Sequence, residues 1–193
     1  MNLKYILMIM SIFIFVACAK SNTENPTSIN IESREIFDED NRATKIHIDP
    51  FASEYINIDY RGEKRYQLDI EIWSKGEVIS QETKLLDIEL KKYYGISMEV
   101  DERDSETFNV VIGMYEKDSV FGSDFDITVD KNDSKLNGRV ESKHIEPKVF
   151  NDGEDILLWG LHRFDNGFDV FEDGYEAASN MEWSILFILK PYE

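Results

Sequence analysis

Apolar and polar side chains alternate with a period of two along most of this chain. In residues 54–60, Ile56, Ile58 and Tyr60 share one face. In residues 66–73, Tyr66, Leu68, Ile70 and Ile72 alternate with Gln67, Asp69 and Glu71, the clearest half-buried strand pattern in the sequence. Ser74-Lys75-Gly76 then turns the chain into residues 77–80, which predicts a hairpin. Further strands are predicted at residues 96–100, at 108–115 (Phe108, Val110, Ile112 and Met114 on one face) and at 124–130 (Phe125, Ile127 and Val129). Segments around Val140 and at residues 145–150, 155–162 and 182–189 follow. The last carries Trp183, Ile185, Phe187 and Leu189 on one face and Leu186 and Ile188 on the other. A strand apolar on both faces belongs in the middle of a covered sheet.

Residues 80–95 carry two patterns. Ser80 as a cap, Glu82 in a first turn, Lys91 and Lys92 in a last turn and Gly95 beyond it would suit a helix. Leu86, Ile88 and Leu90 nevertheless alternate with Asp87, Glu89 and Lys91, and we take this period as deciding for a strand. Eight to ten short strands separated by turn signals, with at most one helix, predict an all-β fold. We expect a single antiparallel β-sandwich of immunoglobulin-like architecture over residues 31–193. The Cys…Trp…Cys pattern of true immunoglobulin domains is missing, so the likeness is one of architecture. The polar stretch 19–30 reads as a flexible tether. Within residues 31–43, Ile31, Ile36 and Phe37 are suited to docking on the domain, and Asp38-Glu39-Asp40-Asn41 reads as a solvated turn.

The first residues are of a different kind. Lys4 supplies one positive charge, and residues 5–17 are apolar apart from Ser11. A membrane span needs roughly 20 apolar residues, so this run is too short to be one; it has the layout of a secretory signal. Phe15-Val16-Ala17-Cys18 resembles the lipobox of bacterial lipoproteins. The resemblance implies that residues 1–17 are removed and that Cys18 carries the lipid. The mature chain would then be held on the extracytoplasmic face of the cell membrane, with residues 18–30 as lipidated cysteine and tether. Cys18 is the one cysteine, which leaves the domain without a disulfide or a thiol nucleophile. The 22 isoleucines against 6 alanines lean the same way as the alternation, towards β. That usage also suits an AT-rich, Gram-positive genome.

The formal net charge of −18 repels phosphate backbones and excludes nucleic acid as a partner. It also repels anionic headgroups, leaving the Cys18 lipid as the membrane contact. No nucleophile elbow, zinc-protease motif, phosphate loop or dinucleotide fingerprint occurs, so no cofactor is expected. His47, His144 and His162 fall on separate elements, and close carboxylate pairs are inevitable among 39 acidic residues. Asp130, Asn132, Ser134 and Glu141 stand where a calcium loop has its first, third, fifth and twelfth positions. Lys135 occupies the place that needs glycine, so a hairpin tip is the preferred reading and no metal is expected.

The candidate binding loop is residues 164–176. It interleaves Phe164, Phe168, Phe171 and Tyr175 with Asp165, Asp169, Glu172, Asp173 and Glu176, while Gly167 and Gly174 oppose a continuous helix. Its aromatics either fold back over the sandwich or form a binding loop on a rigid scaffold. The expectation is a tethered, non-enzymatic binding or accessory module whose partner is an extracytoplasmic protein or wall component. The alternatives are a carboxylate hydrolase acting on wall polymers or exported peptides, and a surface protein that responds to divalent cations.

Overall fold

Where the chain alternates it pairs, and where it carries turn residues it reverses. A computed structural model describes residues 27–34, 52–103, 107–128, 138–144, 146–164 and 173–192. The strands, in chain order, are β1 (Ser28–Arg34), β2 (Ala52–Tyr60), β3 (Tyr66–Ser74), β4 (Glu77–Ile88), β5 (Gly95–Glu102) and β6 (Thr107–Tyr115). They continue as β7 (Val120–Thr128), β8 (Gly138–Ser142), β9 (Lys148–Asn151), β10 (Ile156–Phe164) and β11 (Trp183–Pro191), with a short helix α1 (Gly174–Asn180) before the last. They form two antiparallel sheets, ordered β7-β6-β5-β2-β1-β9 and β4-β3-β11-β10-β8, which pack face to face as a sandwich. The β3–β4 hairpin turns at Lys75 and Gly76, whose φ angles of 51° and 82° are both positive. A two-residue turn of that hand matches the twist of the flanking strands, and glycine takes its second position without strain.

The faces are those the alternation predicts. Tyr66, Leu68, Ile70 and Ile72 of β3 meet Phe108, Val110, Ile112 and Met114 of β6 in one buried core. β11 sits at the centre of the five-stranded sheet, and Ile185, Leu186, Phe187, Ile188 and Leu189 are all 0% exposed. Near one end, the Trp183 ring stacks on Phe108 of the opposite sheet at 4.8 Å and 24°. Near the other, the Tyr60 and Tyr66 hydroxyls both donate to Asp152 Oδ1, at 2.8 and 2.9 Å. Gly153 N donates to the Tyr66 hydroxyl in turn, tying the β9–β10 turn to both sheets.

Residues 80–88 are strand, as expected, but the register with β3 shifts between Leu85 and Ile88, leaving Leu86 exposed and Ile88 buried. β4 continues to Ile88, and only Leu90–Lys92 form a single 3-10 turn. Two boundaries differ from expectation. Residues 28–30, assigned to the tether, pair with β9, and Ile29 and Asn30 also with β2, so the sheet begins at Ser28. Ile29 and Ile31 drive this, since both are buried in the core. β7 starts at Val120 rather than residue 124, because β6 is long enough to pair with the four residues before it. Residues 1–26, with the expected signal segment and Cys18, and residues 35–51, with His47, lie outside the described residues, as does Val129.

Trp183→Ala is expected to lose about 3–5 kcal/mol in urea unfolding, the range for emptying a large aromatic site. Val149→Ala, at a position 69% exposed, should change stability by no more than about 0.5 kcal/mol. Similar losses for the two variants would contradict the placement of the core.

Candidate functional site

The two ends of segment 164–176 are built into the sandwich. β10 runs to Phe164, which lies opposite Gly138 of β8. At the other end Asp173 caps α1: its Oδ1 accepts from the amides of Tyr175 at 2.8 Å and Glu176 at 3.1 Å. That satisfies two of the donors a helix start leaves unpaired. α1 presents Gly174, Ala177 and Ala178 to the sheet, residues small enough for the helix to lie close. A Cβ on Gly174 would come within 2.4 Å of Leu157 and 2.6 Å of the Ser142 hydroxyl, so a larger residue there would have to displace both side chains. Ala178 packs with Leu186 and Ile188 on the outer face of β11, flanked by Trp73, Leu157 and Tyr175. The Tyr175 ring meets Trp73 edge-on at 6.3 Å. Phe164, Asp173 and Tyr175 are thus fixed to the scaffold. Asp165, Phe168, Asp169, Phe171 and Glu172 lie outside the described residues.

Beside α1 the outer face of β3 carries a polar network. Asp69, 1% exposed, accepts from Thr83 Oγ1 at 2.7 Å and from Gln81 and Gln67, each at 2.9 Å. Burial pushes its carboxyl up, but those bonds and the Lys190 ammonium at 3.5 Å hold it below the usual range. Glu71 accepts from Lys190 at 3.0 Å and from the Trp73 indole at 3.2 Å. Burial raises the Tyr175 hydroxyl to about 12, with Glu71, Asp155 and Asp173 adding to the effect. The surface around α1 is therefore anionic and aromatic together.

A strongly perturbed carboxyl lies inside the sandwich. Glu54 is in phase with Ile56, Ile58 and Tyr60 on the core side of β2 and is 3% exposed. Burial raises its carboxyl to about 7, against the pull of Lys143, whose Nζ is 3.8 Å away, and with the push of Glu141. Of the four calcium-loop candidates only Glu141 is described; Asp130, Asn132 and Ser134 are not. Among the described residues no group of three or more His, Cys, Asp or Glu side chains is arranged to hold a metal ion. His162 is fully buried between Ser142 Oγ on Nε2 and Ser184 Oγ on Nδ1, each at 2.8 Å. Burial pushes it down to about 4. His144 meets the Leu157 carbonyl at 2.7 Å and packs against Phe150. Of the two described histidines, His162 is buried and His144 half-buried, each held by hydrogen bonds within the sandwich. Sequence reading did not single out Glu54, although a polar residue in phase with three apolar ones was the available signal.

A cavity of about 80 Å³ opens between Gly62, Glu63, Lys64, Arg65, Glu89 and Lys91. Its charges are already matched: Arg65 pairs with Asp87 and Glu89, and Lys91 with Glu63. Among the described residues no helix is long and apolar enough to cross a membrane. Comparison with protein-family models, curated proteins and solved structures gives no match.

Glu54 and His162 titrate in opposite senses. A carboxyl raised from 4.5 to about 7 contributes stability in full below 4.5, and this is lost as pH rises through 7. A histidine lowered from 6.5 to about 4 contributes above 6.5 and loses that contribution as pH falls towards 4. Glu54→Gln, which mimics the protonated form, should raise stability at about pH 8 by ~1–3 kcal/mol. Its stability should then fall on acidification below about pH 6.5 with nothing to offset His162. Thermal melts across this range test it, and a variant less stable than the parent at high pH would contradict the burial argument.

Proposed function

We propose that this protein is a lipid-anchored, extracytoplasmic binding module, held to the membrane through Cys18 and contacting its partner with segment 164–176. The observation that carries the reading is the fixing of both ends of that segment. Phe164 closes β10, and Asp173 caps a helix packed on the most buried strand. A segment with both ends fixed costs less to order on a partner than one with a free end. Rings supply contact area, and carboxylates steer an approaching cation. The partner is therefore a basic or sugar-bearing extracytoplasmic protein or wall component. The anionic environment of Tyr175 favours the basic alternative.

Two measurements test this. Metabolic labelling with a fatty-acid analogue should mark the protein and fail to mark Cys18→Ala; undiminished label on the variant would contradict the anchor. Phe168→Ala and Phe171→Ala should weaken crosslinking to the partner on the producing cell's membranes while leaving the melting temperature nearly unchanged. Melting several degrees lower with unchanged crosslinking would make the segment structural.

A further inference from the structure

The sandwich has four sheet edges among the described residues, and they are not protected equally. Open strand edges invite pairing with other chains, and proteins blunt them by shortness or by bulges. β8 has five residues and β9 four. β4 is longer, but its pairing with β3 shifts register three times. β7 has neither device. Its nine residues pair with β6 in unbroken register, from Val120 opposite Tyr115 to Thr128 opposite Thr107. Among the described residues no strand pairs with the side of β7 away from β6.

The side chains of this edge describe a complement. Phe121, Ser123, Phe125 and Ile127 lie opposite Met114, Ile112, Val110 and Phe108, the core side of β6. Phe121 is nevertheless 53% exposed, with no described strand beside it. Phe125 already takes a cation, with the Lys84 ammonium 4.4 Å from its ring centre. On the outer side stand Val120, Gly122, Asp124 and Asp126. Asp126 accepts from Asn109 at 3.1 Å and lies 3.5 Å from Arg103. A strand added here would cover Phe121 on the core side and face carboxylates on the other.

We propose that β7 is a strand-addition site for an extended segment in which apolar residues alternate with Lys or Arg. Main-chain bonds would give the affinity and the alternating side chains the selectivity. Charge complementarity singles out this occupant over a second copy of the chain. Self-pairing of β7 centred on residues 124–126 sets carboxylate against carboxylate, between two chains that each carry −18.

The probe is a capped ten-residue peptide alternating Lys and Val, titrated into the full chain at low ionic strength. Its controls are a Glu/Val peptide and a Lys/Val peptide N-methylated at alternate amides. The Lys/Val peptide should bind, weaken with salt, and slow hydrogen exchange along β7; both controls should fail. Asp124→Lys should lower Lys/Val affinity by about threefold to fivefold and allow Glu/Val binding. Phe121→Ala should weaken binding without lowering the melting temperature. Equal binding of the N-methylated peptide would reduce the effect to unspecific attraction and overturn the proposal. So would unchanged preference in Asp124→Lys, protection confined to other strands, or a concentration-dependent dimer that protects β7.

Discussion

Burial of β11 on both faces is the constraint on which the rest of this protein depends. With one cysteine in the chain, no disulfide can tie the two sheets together, so packing has to hold them. Full burial of a large apolar side chain contributes about 1.5–3 kcal/mol, and β11 places five consecutive residues beyond reach of solvent. On the core side, Phe187 packs against Trp159 at 5.2 Å and Trp183 stacks on Phe108. On the outer side, Leu186 and Ile188 seat α1. Loss of the outer contact would free the helix and, with it, one end of segment 164–176. Fold and proposed binding surface thus share a strand.

Much of this was legible because strand periodicity is local. The two-faced apolar pattern of residues 182–189 marked the central strand, and the strand expected within residues 80–95 runs to Ile88, although a bulge puts Leu86 and Ile88 on different sides. What escaped were features whose partners are remote. β1 offers only Ile29 and Ile31 within a polar stretch, and its pairing depends on strands the local pattern cannot see. α1 has seven residues, too few for a helical period to declare itself. The bulges of β4 follow from its register with β3, not from its own composition.

The site residues divide in the same way. Phe164, Asp173 and Tyr175 were legible as part of an aromatic and acidic segment, but not as its fixed ends. The cap, the Gly174 contact and the packing on Trp73 are tertiary facts. Asp69 and Glu71 read as the solvated face of an alternating strand, yet they are buried because Lys190, 119 residues from Glu71, reaches across to them. Glu54 was visible as a polar residue in phase with the core. Its perturbation comes from burial between the sheets, which Lys143, arriving from the edge of the other sheet, only partly offsets. Net acidity by itself marks only solubility; the two proposed contact surfaces are where carboxylates stand beside rings, around Tyr175 and along β7.

Native-state hydrogen exchange of the intact protein tests the central claim most directly. If packing on both faces of β11 holds the sandwich, the amides of residues 185–189 should exchange only through global unfolding. Their opening free energies should match the unfolding free energy from denaturant titration, while β8, β9 and β7 should open locally at lower free energy. Exchange of residues 185–189 at the rate of those edge strands, with global stability intact, would contradict the account.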